Sequence, residues 1–172
     1  MIATLVERTI TRQERGFGQS MNYLRDIAGS SLGAFFKYAL FIPMSRHRKA
    51  ASPEIAAVAW IAAMRHEDCG PCLQITVDHA LASGVDRKLV RAALAGDRDA
   101  LGDSLGEVYE YATAVASGDP RANALSDALR ERLGRDVLVD LALGIASARV
   151  FPTLKRALGH ARSCSLVRVE VD

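Results

Sequence analysis

Residues 52–84 read SPEIAAVAWIAAMRHEDCGPCLQITVDHALASG, and this stretch decides the fold class. Ser52 is a preferred N-cap because its hydroxyl accepts an otherwise unpaired backbone N–H, and Pro53 suits the first helical position. Ile55, Val58, Ala59 and Ala62 recur on one face at the helical period, which predicts a helix to about His66. The segment EDCGPC breaks it at Gly70 and Pro71. A second helix is expected from about Pro71 to Ser83, with Asp68 or Cys69 as N-cap and Gly84 as its stop.

The flanks repeat the pattern. An amphipathic helix is predicted from about Met21 to Phe41, closed by Pro43 and followed by a basic connector, SRHRKAAS, which reads as a solvated loop. Downstream, DRKLVRAALAG predicts a helix stopped by glycine. Asp99–Ser117 forms another, carrying Leu101, Leu105, Val108, Ala112 and Val115 on its apolar positions. The turn Gly118–Pro120 precedes two closing helices, Ser126–Leu133 and Arg135–Gly159, the latter kinked at Pro152. The tail from Ser163, SLVRVEVD, reads as an extended arm or a frayed end. No composition shift marks a second domain. The expectation is one all-α domain, a helical bundle with an N-terminal extension over 1–20, a core over about 21–160 and a tail over 161–172.

Composition agrees. At 172 residues, 49 % apolar and 24 % charged, the chain can bury a real core, and only 6 % aromatics favours helices packed on helices. Lys and Arg number 22 against 20 Asp and Glu, so the net charge of +2 recommends neither nucleic acid nor an anionic membrane as partner. Ile27–Ile42 is apolar but only 16 residues long and interrupted by Lys37. A spanning helix needs about 20, so a buried or partner-facing helix is the better reading. Charges run through the first residues where a secretory leader would be apolar, and three cysteines are too few for a secreted disulfide scaffold. A reducing, cytoplasmic setting follows as the expectation, with Cys164 as a bystander.

The chemistry centres on Cys69-Gly70-Pro71-Cys72. Two thiols straddling a helix start can close a small disulfide, and the unpaired N–H groups there stabilise a thiolate. Glu67 and Asp68 oppose this with adjacent negative charge. Three readings stand: a redox dithiol, a metal site recruiting His66 or His79, and inert buried cysteine. Zinc wants four converging ligands, whereas His79 lies two turns past Cys72 and no second CxxC exists, so no metal or cofactor is expected. CGPC is also the thioredoxin tetrapeptide, but there it follows a strand, and here it follows a helix.

The stretch from Pro53 through IAAVAWIAAMRHEDCGPCLQITVDHALASGVDRKLVRAAL resembles the core of the carboxymuconolactone decarboxylase and alkyl hydroperoxidase D superfamily. It has a helix, a CxxC, a second helix ending in Gly84-Val85, and an acidic-basic helix start. LSDALRERLGRDVLVDLALGIASARVFPTLKRALG resembles that family's closing helices. The resemblance implies an all-α bundle of the alkyl hydroperoxidase D-like type that assembles as homo-oligomers, trimers or hexamers. In the peroxidase branch it implies a dithiol that reduces hydroperoxides, with Cys72 attacking and Cys69 resolving. That branch carries a relay histidine and glutamate where this chain has Thr76 and Ala57, so His79, His66, Glu54 and Thr76 are the candidate substitutes. Two functions are therefore weighed. One is a dithiol oxidoreductase acting on a peroxide or disulfide with an unidentified thiol reductant. The other is an oligomeric binding or redox-sensor module without turnover. A homo-oligomer also suits the apolar stretch Ala34–Ile42.

Overall fold

The computed structural model describes residues 2–161 and 170–171. Its helices are α1 (Ile2–Phe17), α2 (Asn22–Ser30), α3 (Leu32–Ala39), α4 (Phe41–Ser45), α5 (Pro53–His66), α6 (Gly70–Ala82), α7 (Arg87–Ala95), α8 (Arg98–Ser117), α9 (Ala122–Leu133) and α10 (Arg135–Ala157). No strand occurs among the described residues, and the chain is an all-α bundle, as the periods predict.

Helix α5 is the hub. It packs on α6, α7, α8 and α10, and Val58, Ala59, Ile61, Ala62 and Ala63 are all buried. An apolar surface on every side marks a central helix, and its alanines let the neighbours come close. Local signals set the ends: the Ser52 hydroxyl accepts the Ile55 N–H at 3.3 Å, and Asp97 accepts that of Ala100 at 3.1 Å. Gly96 and Gly118 close α7 and α8 at φ 71° and 72°, a left-handed backbone that other residues avoid.

The N-terminal third differs from the expectation. The single helix predicted over Met21–Phe41 is three: Ser31 is extended and caps α3, accepting the Ala34 N–H at 3.2 Å, and the chain turns again at Leu40. Pro43 lies inside α4 rather than closing the helix before it, tolerated because first-turn N–H groups lack helical partners anyway. The extension over 1–20 contains α1, whose Val6 and Ile10 are buried with Met21, Tyr23, Leu24 and Phe35 in a second apolar cluster. Arg25 fastens α1 to α2, donating to Glu7 at 2.8 Å and to Glu14 at 2.6 Å.

The basic connector is anchored, not merely solvated. Asp140 of α10, itself buried, accepts the backbone N–H groups of Lys49, Ala50 and Ala51 at 2.8, 2.7 and 2.9 Å. Among the described residues α10 is the one helix long and apolar enough to cross a membrane by length and composition, and here it buries Leu141, Ile145 and Ala148 in the bundle. The tail readings and Cys164 fall outside the described residues, except that Glu170 exchanges hydrogen bonds with Gln74 and Val171 accepts one from Arg91.

Candidate functional site

The α5–α6 corner builds the site. Glu67 and Asp68 follow α5, and Asp68 takes a positive φ of 48°, which reverses the chain within a few residues. Cys69 is the N-cap of α6, extended at φ −123°. Gly70 and Pro71 form the first turn, so Cys72 comes back over Cys69. Both thiols are buried, and Cys69 Sγ donates to Cys72 Sγ at 2.7 Å, longer than the roughly 2.05 Å of a disulfide bond. The hydrogen bond to Cys72, burial and the neighbouring sulfur's charge together push the Cys69 thiol far above its usual range.

Cys72 faces a cavity of about 130 Å³. Its wall is largely apolar and aromatic, with Phe17 from α1, Tyr23 from α2, Tyr38 from α3, Trp60 and Met64 from α5, and Phe151 from α10. A larger opening of about 290 Å³ adjoins it and shares Arg46, Trp60, Thr76 and His79.

The candidate relay residues separate. His79 lines the same cavity as Cys72, its ring edge-on to Phe17 with centroids 5.5 Å apart. Burial and then the Arg46 charge lower its pKa, which favours the neutral imidazole. Thr76 is buried and also lines the cavity, but its hydroxyl donates back to the Cys72 carbonyl at 3.0 Å, a helix-internal bond. His66 is exposed at the end of α5 and lines neither cavity. Glu54 sits in the first turn of α5, where a hydrogen bond to Ser52 lowers its carboxyl pKa, and it is not part of the cavity wall. Among the described residues no three His, Cys, Asp or Glu side chains converge as metal ligands would.

Two features were missed. Glu67 does not act as an uncompensated charge beside the thiols: it is buried, paired with Arg149 at 2.9 Å, and also bound by Arg156. The second is Lys155, only 6 % exposed, which lines the same cavity as Cys72 and holds its ammonium 5.3 Å from the centre of the Tyr23 ring. Burial alone would lower its pKa, yet the Cys72 and Cys69 sulfurs, the Tyr23 hydroxyl and the Cys72 hydrogen bond hold it above the usual lysine value. A signal existed in the sequence: Lys155 is one turn from Phe151 and Pro152 and two from Ala148, the buried stripe of α10.

Comparison with protein-family models, curated proteins and solved structures finds no match for this chain. Its function therefore rests on the site itself.

Proposed function

We propose that this protein is a CxxC dithiol oxidoreductase of the alkyl hydroperoxidase D-like kind, reducing hydroperoxides or disulfides that carry an apolar body. The observation that carries this reading is the pair Cys69 and Cys72, sulfur beside sulfur, with Cys72 opening onto an apolar cavity. A small polar peroxide would gain little from aromatic walls, whereas an organic substrate buries its hydrocarbon there.

Cys72 attacks as thiolate and becomes a sulfenic acid, and Cys69 condenses with it to a disulfide, releasing water. The direction of the hydrogen bond suits this assignment, since Cys69 donates and Cys72 accepts. An external thiol then reduces the disulfide by exchange. His79, neutral and in the same cavity, is the candidate base that the Thr76 position lacks. The helix–CxxC–helix corner inside an all-α bundle supports the superfamily reading, and a reducing, cytoplasmic setting goes with it. Leu32, Phe36, Leu40 and Met44 leave an apolar strip along α3 and α4, with Leu40 75 % exposed, which supports a homo-oligomer.

The second reading, a binding or redox-sensor module without turnover, is favoured by the Thr76 and Ala57 positions. Peroxide consumption with a dithiol reductant separates the two. Cys72→Ser is expected to abolish turnover, Cys69→Ser to trap a sulfenic acid detectable by mass, and His79→Gln to flatten the pH profile. Thiols that stay reduced and alkylatable under peroxide would sink the oxidoreductase reading in favour of the binding module.

A further inference from the structure

We infer that Lys155 is a catalytic residue, the cation that holds Cys72 as a thiolate and the acid that protonates the leaving alkoxide. This rests on the dithiol reading above and supplies a proton source where the relay positions are Thr76 and Ala57.

A buried lysine needs a counter-charge, because removing an ammonium from water is costly unless it is paired. No Asp or Glu lines the cavity among the described residues. Glu67, near in sequence to Cys69, is engaged by Arg149 and Arg156. The acidic groups facing Lys155 are Cys72, Cys69 and Tyr23, with Tyr38 behind Tyr23 at 3.4 Å between hydroxyls. Arg46 and the neutral His79 complete the titratable wall and bring no negative charge.

Among these acids the anion belongs on Cys72. Burial, above all, raises both tyrosines. Cys69 donates its proton toward Cys72 and is raised in turn. Cys72 accepts from the Cys69 thiol and shares its cavity with the Lys155 ammonium, whose charge interacts with it. The π face of Tyr23 on the ammonium's other side adds favourable electrostatics without competing for the proton.

The chemistry closes. The Cys72 thiolate attacks the distal oxygen of ROOH, the S–O bond forms as the O–O bond breaks, and the alkoxide takes a proton from Lys155 to leave as ROH. Cys72 is then a sulfenic acid and Lys155 a neutral amine. Cys69 attacks the sulfenic sulfur, the S–S bond forms, and the sulfenic hydroxyl departs with the Cys69 proton as water. Lys155 regains its proton from solvent once an external thiol has returned two electrons to the disulfide and a thiolate faces it again.

The test is the thiolate's own ultraviolet absorbance as pH is varied, in the absence of substrate, with the Cys72→Ser signal subtracted. In Lys155→Met the Cys72 thiolate should form only at higher pH, and alkylation by a small haloacetamide at neutral pH should slow roughly tenfold or more. Lys155→Arg, which keeps the charge, should restore the titration while only partly restoring turnover. A Lys155→Met titration superimposed on the wild type overturns the inference. Where Lys155→Met does not fold, methyl-labelled lysine in the wild type decides: the Lys155 titration should fall when the dithiol is oxidised, and an unchanged titration overturns the inference. A shifted titration without turnover in any protein would sink the oxidoreductase reading and leave the charge pair standing. Turnover with an unshifted titration would do the reverse.

Discussion

One carboxylate of α10, that of Asp140, does the work of an entire capping motif for the loop between α4 and α5. Three consecutive backbone N–H groups converge on a single oxygen, and His47 stands 3.4 Å from the other. Burial would raise the Asp140 carboxyl, but the three amides and the His47 charge outweigh it and bring the pKa below the usual value. A depressed carboxylate contributes stability above its unfolded-state pKa of about 3.9 and loses it as pH falls through the folded value. Asp140→Asn is therefore expected to cost about 2 kcal/mol at neutral pH, with the gap to wild type narrowing below about pH 4 in urea titrations. Glu67→Gln should also destabilise, by about 1–3 kcal/mol, because Arg149 and Arg156 lose a charged acceptor; equal urea midpoints for variant and wild type would contradict the pairing. At this scale the sequence is unevenly legible. Cys69 and Cys72 announced themselves by spacing, whereas Arg149 and Arg156, which bind Glu67, and Lys155, which faces the Cys72 cavity, lie on α10, too far along the chain for local pattern to report. Thr76 was legible as a missing histidine, but that its hydroxyl turns back to the helix depends on a rotamer.

Among the elements, α5 and α6 were the easiest to read, since Ser52, Pro53, Gly70, Pro71 and Gly84 punctuate them where the helices begin and end. The region before them was not. Ser31 looks like any serine inside an apolar stretch, and only its extended backbone shows that it caps α3. Helix α10 illustrates a different limit: Gly144 has no visible reason in sequence, yet a Cβ there would come 2.7 Å from Cδ1 of Trp60. The glycine lets the indole lie against α10, and the indole in turn forms part of the cavity wall. Gly144→Ala should push Trp60 into the cavity at a cost of about 1–3 kcal/mol. Trp60 is the only tryptophan in the chain, so its fluorescence reports the change directly. An unchanged emission spectrum would rule out the displacement.

Across the molecule, the bundle class followed from periodicity alone, because each apolar stripe needs a partner and helices supply all of them. What periodicity could not convey is that the first helix belongs to the cavity. Phe17 and Gln13 of α1 are part of its lining, so the segment read as an extension is a wall. The strip along α3 and α4 makes a concentration-dependent assembly testable by sedimentation, and a monomer throughout the micromolar range would count against the proposed oligomer. Val6 and Ile10 hold the α1 wall by burial, and Arg25 adds a polar clasp to Glu7 and Glu14. The Arg25 hydrogen bond is the main reason the Glu14 carboxyl is held down to about 2, so mild acid leaves the Arg25–Glu14 pair intact. Dissolved ions are another matter: at about 1 M salt the screening length shrinks to about 3 Å, and the more exposed Arg25–Glu7 pair loses most of its attraction. The Arg25 clasp is therefore expected to respond to ionic strength more than to acidity. An apolar fluorophore should enter the cavity faster in concentrated sodium chloride than in dilute buffer, and Arg25→Ala should enter at the fast rate in both.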